Sequence, residues 1–509
     1  MPKTAITGSL VAVEFDKSSD VPIYRQITEA MKSAILSGRL AVGSKLPSTR
    51  IFANELGVSR NTIVQVFEVL TEEGLLASRV GAGTFVVDAA PRRDAMSAPT
   101  MTEDQPNGSY PFRSLSRRGK SLVVSSTGEF SERPTPFMPD LPDLREFPIR
   151  TWLRLLNETS GRLTGQILAE ASSAGYEPLR RAVAQHLSAS RGVVCSYEQV
   201  IITTGSQQGL DLVCRMLLDA GDPVWLEEPS YVGTRSVIRA NGGVVCPVPV
   251  DERGGRFDEA ISLHPAPRLI FTSPARHYPL GSQLAPERRD ALVAIASRCG
   301  SWILEDDYDH EFIYDPNLAM RSLHAQDGDQ RTIHMGTFSK TLLPSFRLGY
   351  LVVPADLGEH FAKARAVVDR HASLIEQMVL SEFMNRGLFV SHIRRMRNLY
   401  HSRRTQLVTG LEDIFGRDCC RPMTLGGTHV ILPLAETARD QVVARRAAER
   451  GLVLRPLSPY YMTGSRAQGL LVGFSAFNSH EIARGLEVIS AMRDHIGVEI
   501  ARPEPALPA

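Results

Sequence analysis

The chain has 509 residues, 43% hydrophobic and 22% charged, with a formal net charge of +1. That length exceeds what one hydrophobic core organises, so two or three domains are expected, and the composition excludes a disordered or fibrous chain. Near-neutrality excludes bulk charge as a source of nucleic-acid affinity: residues 1–90 hold nine Lys+Arg and nine Asp+Glu, so any attraction to phosphate must come from charge gathered on one face.

Residues 21–87 read as one compact unit. Ile23, Ile27, Met31 and Ile35 recur every four residues, the apolar stripe of an amphipathic helix. Gly38 and Gly43 end it and lead into LPSTR. A short helix follows to about Leu56, Gly57 makes the turn, and Ser59 is placed to cap the next helix. There Ile63, Val66, Phe67 and Leu70 share one face, and Arg60, Asn61, Gln65 and Glu68 the other. After Gly74, two short strands flank Gly81-Ala82-Gly83, the pattern of a hairpin with a glycine turn. Residues 88–133 turn to Ala, Pro, Ser, Thr and Arg without a period, and read as a linker carrying Arg113, Arg117, Arg118 and Lys120.

From about 134 to 500, helical patterns alternate with β-branched runs: VIITTG, PVWLEE, RLIFTSP, SWILEDD and TIHMGTFS. Such runs predict a parallel or mixed sheet buried on both faces. THVILPL, LVLRPL and GLLVGFS in the last hundred or so residues predict a smaller α+β lobe. The six cysteines (195, 214, 246, 299, 419, 420) follow no metal or disulfide spacing, which predicts no metal site and a reducing, cytoplasmic setting. The first twenty residues hold Lys3, Glu14, Asp16, Lys17 and Asp20, so no signal peptide is expected. No later run reaches the roughly 20 apolar residues of a membrane span.

Two motifs carry chemistry. A bare helix-turn-helix is more often a packing unit than a DNA reader. Here the short second helix, the Ser-Arg-Asn-Thr opening of the third and a Gly-X-Gly-Thr-Phe wing follow in order. A helix start rich in short polar side chains and Arg suits phosphate and base-edge contact. The candidate DNA contacts are Ser48, Arg50, Ser59, Arg60, Asn61, Thr62 and Gln65, with Gly81, Gly83 and Thr84 in the wing. The second motif is GTFSKTLLPSFRLGY. A lone Ser-Lys means little, since lysines are usually solvated. Lys340, however, follows a β-like run and precedes Arg347 by seven residues.

Pyridoxal phosphate needs an amine for a Schiff base, a carboxylate for its pyridine nitrogen, a guanidinium and helix-start N–H groups for its phosphate, and a flat side chain over its ring. Each has a candidate: Lys340; Asp306, with Tyr308 for the phenolic oxygen; Arg347 and Thr337, with Ser206 and Gln207 at the TTGSQQGL junction; and Tyr231.

The N-terminal stretch from PIYRQITEAM to GAGTFVV resembles the GntR family of winged helix-turn-helix regulators, and the second half resembles fold-type I pyridoxal-phosphate aminotransferases. Together, over about 21–480, the chain resembles the MocR-type subfamily of GntR regulators. The resemblance implies an α/β chain: a winged helix-turn-helix (α+β) domain at 20–88, a linker at 89–133, and an aminotransferase-like domain at 134–500 with a small C-terminal α+β lobe. It implies pyridoxal 5'-phosphate on Lys340, a double-stranded DNA operator, and a homodimer in which each DNA-binding module packs on the other protomer. It implies regulation by an amino compound that exchanges with Lys340 on the cofactor.

The chain departs from the family pattern at Arg276 and His277, where a His-Gln pair is usual, at Glu170, where a tyrosine often stands, and at Gly233, where the GABA-responsive member has arginine. GABA is therefore not the expected effector. An effector carboxylate could be received by Arg276 or Arg455, with a structural ion pair as the competing reading for each. His277 is a further candidate effector contact, and for it a hydrogen-bonded structural role competes with acid/base catalysis. Two other functions stay open: a catalytically active aminotransferase, and a repressor whose C-terminal domain only dimerises.

Overall fold

The structure is a computed structural model that describes residues 15–16, 21–79, 83–87, 115–116, 118–119, 135–165, 167, 172–315, 317, 320–420, 426–463 and 467–496. Gly81, Glu170, Arg113, Arg117, Lys120 and most of 89–133 lie outside the described residues. The chain forms two compact units, Met1–Phe112 and Arg113–Ala509.

In the first unit, α1 (Ile23–Leu36), α2 (Thr49–Leu56) and α3 (Arg60–Glu72) precede a hairpin of β1 (Leu76–Arg79) and β2 (Gly83–Val86). The apolar stripes converge as their spacing predicts: Ile27, Met31 and Ile35 of α1 pack with Phe52 of α2 and with Ile63, Val66, Phe67 and Leu70 of α3. Each such side chain, fully buried, contributes about 1.5–3 kcal/mol. Ser48 and Ser59 cap α2 and α3, accepting from Ile51 N at 3.4 Å and Thr62 N at 3.1 Å. Gly57 ends α2 in the left-handed region. The hairpin is antiparallel, with Leu76 opposite Val86 and Arg79 opposite Gly83.

The second unit is built on eight strands: β3 (Val200–Thr203), β4 (Pro223–Glu228), β5 (Val244–Asp251), β6 (Gly254–Gly255), β7 (Leu269–Thr272), β8 (Trp302–Asp306), β9 (Thr332–Thr337) and β10 (Gly349–Val352). They lie in the order β3-β10-β9-β8-β7-β4-β5-β6. β5, β4, β7, β8 and β9 run parallel, while β10 is antiparallel to both β3 and β9. The five runs picked out by composition are β3, β4, β7, β8 and β9, and their buried faces on both sides explain why they read as continuous rather than alternating. β10, the GYLV of RLGYLVVPA, is a run of the same kind that was not singled out in the sequence.

The C-terminal lobe holds an antiparallel sheet of β11 (His429–Pro433), β12 (Arg455–Pro456) and β13 (Gly469–Gly473), ordered β11-β13-β12. It shares a core with helices Leu388–Phe415 and Ser479–Ala491 through Met396, Leu407, Val430, Val472 and Ile482. Among the described residues no helix is long and apolar enough to cross a membrane.

Candidate functional site

Parallel α/β sheets bind ligands beyond the carboxyl ends of their strands. Several of the expected residues stand there. Asp306 ends β8, Thr337 ends β9, and Lys340 lies three residues beyond Thr337. Thr203 ends β3, and Gly205 caps the helix Ser206–Leu217. The reversed β10 completes the set. Its first residue, Gly349, pairs with both Thr203 and Thr337, which brings Arg347 back to the same edge. A Cβ on Gly205, whose φ is +98°, would lie 2.9 Å from Arg347 Nη2. The guanidinium therefore sits over a bare helix start, a cradle for an anion that any side chain at 205 would fill.

Asp306 is electrostatically anomalous. Its Oδ1 is buried without a hydrogen-bond partner. Burial, followed by the charges of Asp307 and Asp309, pushes its carboxyl up to about 8. Its neighbour Asp307 goes the other way: burial raises it, but Arg191, 2.6 Å away, and His310 hold it well below the carboxylate range. Two adjacent carboxyls thus have opposite characters, because one has a guanidinium at 2.6 Å and the other has only the unbonded charge of Lys340 to offset its burial. An orphaned, buried carboxylate is what a protonated pyridine nitrogen would neutralise.

Tyr308 lies beside it and accepts from Arg276 Nη1 at 3.1 Å. Tyr231 caps the helix Val232–Ala240 and stands edge-on to Tyr278, ring centroids 5.9 Å apart. Gln207 reaches across to the Gly233 carbonyl at 3.4 Å. A Cβ on Gly233 would overlap the Tyr231 ring and come 2.7 Å from Gln207 Oε1, so this position has no room for a longer side chain without rearrangement.

The structure commits Arg276. Buried, it pairs with Asp309 at 3.0 Å and donates to the His429 carbonyl at 3.2 Å, so the ion-pair reading describes it. His277 is fully buried, and burial holds its imidazole neutral, down at about 3. Arg455 does face the site, but it is already matched: its Nη1 lies 2.6 Å from Asp140 Oδ2.

Asp140 is the residue that sequence reasoning missed. Tyr278 donates to its Oδ2 at 2.7 Å, and Lys340 Nζ lies 3.0 Å from its carbonyl and 3.2 Å from its Oδ1. Burial pushes its carboxyl up, but Lys340, Arg455, His429 and Tyr278 together hold it far below the carboxylate range. Nothing local marks it, since it belongs to an irregular segment some 200 residues from Lys340. Tyr460 completes the cluster, 3.0 Å from the Tyr278 hydroxyl. The absence of a metal motif in the cysteine spacing does not describe every cluster: His186, His310 and Glu311 place donor atoms within 4.8 Å of one another.

In the winged unit, Arg50, Arg60, Asn61 and Gln65 are exposed, as a reading face requires, while Ser59 and Thr62 are joined at 2.8 Å in the α3 cap. Lys45, also missed, lies exposed and bridges to Phe85 of β2, beside Thr84 and Gly83 of the wing.

Fold and site together define a class I and II aminotransferase scaffold joined to a winged helix-turn-helix. The aminotransferase class I and II family matches residues 142–489, and the gntR family of bacterial regulatory proteins matches 23–86. The chain belongs to the MocR-type subfamily of GntR regulators. It is 35% identical over 477 residues to the probable rhizopine catabolism regulatory protein MocR of Rhizobium meliloti, covering 92% of this chain and 94% of that protein.

Two solved structures share the fold of the larger unit. An archaeal alanine:glyoxylate aminotransferase superposes with a TM-score of 0.67 at 27% identity, over 74% of this chain and 94% of its own. The α-aminoadipate aminotransferase LysN of Thermus thermophilus, complexed with N-(5'-phosphopyridoxyl)-L-leucine, gives 0.65 at 26%, over 75% and 95%. Pyridoxal 5'-phosphate is the cofactor of this fold, and the orphaned Asp306, the bare Gly205 cradle and Lys340 fit it.

Proposed function

We propose that this chain regulates transcription by sensing a small amino compound at Lys340 and altering how its winged helices hold an operator. The observation that carries the reading is the lysine amine and a partnerless buried carboxylate at adjacent strand ends, in a chain that also carries a GntR-type reading face. Bound pyridoxal phosphate supplies an electrophilic carbon to which a primary amine can be joined.

The chain's own residues do the rest. Lys340 supplies the resident amine, and Asp306 holds the pyridine nitrogen. Tyr308 faces the phenolic oxygen, with Arg276 fixing its hydroxyl. Arg347, Thr337 and the Ser206-Gln207 helix start take the phosphate, and Tyr231 covers the ring. Arg50, Arg60, Asn61 and Gln65, with Gly83 and Thr84, meet the DNA.

The working division is a DNA-binding module at 20–88, a linker at 89–133 and a sensor at 134–500. It acts in the cytoplasm as a homodimer with exchanged modules, an arrangement that rests on family resemblance.

The test is Lys340→Ala. The wild-type protein loaded with cofactor should show the absorbance of the Schiff base and an effector-dependent footprint, and the variant neither. Effector-dependent DNA binding that survives in Lys340→Ala would sink the reading. Steady-state turnover with an amino donor and a keto acceptor, combined with no footprint upstream of its own gene, would favour the aminotransferase instead.

A further inference from the structure

In an amino-acid-binding site of this kind, a guanidinium facing the reactive lysine is the natural receptor for the ligand's carboxylate. In this protein the guanidinium has a carboxylate already. Arg455 Nη1 lies 2.6 Å from Asp140 Oδ2, and the same oxygen accepts from Tyr278 at 2.7 Å. The other oxygen, Oδ1, lies 3.2 Å from Lys340 Nζ, and 3.9 Å from His429 Nδ1. Asp140 therefore bridges the receptor and the reactive amine, spanning the gap that a bound amino acid would span.

We propose that Asp140 permanently occupies the carboxylate subsite at Arg455, so that the effector is a primary amine carrying no carboxylate. The proposal rests on the reading that Lys340 exchanges with an amine.

Three further observations support it. Arg276, the other buried guanidinium here, has both terminal nitrogens held by Asp309, Tyr308 and the His429 carbonyl, which leaves only its buried Nε without a partner. An incoming carboxylate would have to share the half-buried Arg455 with Asp140, placing two like charges a few ångströms apart, which is unfavourable. Finally, an amine that takes the place of Lys340 releases the lysine side chain, and Asp140 already receives that amine through its carbonyl and carboxylate oxygens. The walls that remain are the neutral rings of Tyr231, Tyr278 and Tyr460, which suit an uncharged remainder.

Asp140 adopts φ +70°, so Asp140→Gly and Asp140→Asn both suit the backbone. The experiment uses matched pairs: alaninol with alanine, and 4-aminobutanol with 4-aminobutanoate. Each is titrated into full-length, cofactor-loaded protein while Schiff-base absorbance and operator binding are followed. The wild type should respond to the amino alcohol at least ten-fold more tightly than to its amino acid, and Asp140→Gly should reverse the order. A wild type that prefers the amino acids, or variants that leave the order unchanged, overturns the proposal.

A second readout needs no cofactor. Pentanoate should raise the melting temperature of cofactor-free Asp140→Gly protein and leave that of the wild type unmoved. Equal stabilisation of both, or of neither, also overturns it. If no Schiff-base absorbance ever forms, the sensing reading falls, while the pentanoate comparison still decides whether Asp140 fills the subsite.

Discussion

Replacing Asp306 with Asn should change the cofactor-free protein in a way that depends on pH. An ordinary Asp titrates near 3.8, and burial beside Asp307 and Asp309 raises this one to about 8. Between those values the folded state keeps a proton that the unfolded state releases. Stability therefore falls as pH rises, with nothing further lost above about 8. The roughly three pH units from 3.8 to 7, at about 1.4 kcal/mol each, amount to about 4 kcal/mol at pH 7. Asparagine removes that titration but buries an amide with the same missing partner, a pH-independent cost of about 1–3 kcal/mol.

The difference between variant and wild type should thus grow by about 1.4 kcal/mol per pH unit from 5 to 7, level off around 8, and favour the variant at pH 7. Glu227 and Asp309, raised by burial to about 7 and about 6, titrate in both proteins, so the effect of Asp306 is read as the difference between the two. Urea unfolding followed by tryptophan fluorescence is the assay, since Trp152, Trp225 and Trp302 all lie in the larger unit. A difference that stays flat across that range would refute the claim that Asp306 is a buried, partnerless acid awaiting a cation.

Other expectations follow from the same geometry. Arg347→Ala should weaken cofactor binding by roughly 10- to 100-fold, the loss of one charge-assisted contact of about 1.5–3 kcal/mol, read by absorbance titration. An unchanged affinity would remove Arg347 from the cradle. Asp307→Asn strands Arg191 in the core and should cost about 3–5 kcal/mol in the fluorescence melt; a loss below about 1 kcal/mol would mean the pair is solvated. Arg60→Ala should lower the slope of log affinity against log salt by about 0.9, the signature of one phosphate contact. An unaltered slope would take Arg60 off the backbone. Ser59→Ala removes the α3 cap and should destabilise the winged unit by about 1 kcal/mol, measured by circular dichroism on the full chain.

The winged unit was legible almost throughout, because local signals specify it: a four-residue apolar repeat in α1, a glycine turn after α2 and a serine cap before α3. In the larger unit, Lys340 and Asp306 could be picked out because their chemistry is distinctive and each sits close to a strand that reads as buried, and Arg347 because it follows Lys340 by seven residues. Their convergence was not legible, since it depends on β10 running antiparallel between β3 and β9, a pairing of residues far apart in the chain.

Partners also lay beyond the sequence. Arg276 and Arg455 were equal candidates there, both lone guanidiniums among apolar residues. Only the folded chain shows Arg276 locked to Asp309 and Arg455 answered by Asp140. The sequence by itself thus determined which kind of protein this is, since propensity, capping and residue chemistry are local. The tertiary structure decided which charges are matched and which one, on Asp306, is left open, because charge pairing is a property of distance and burial rather than of order along the chain.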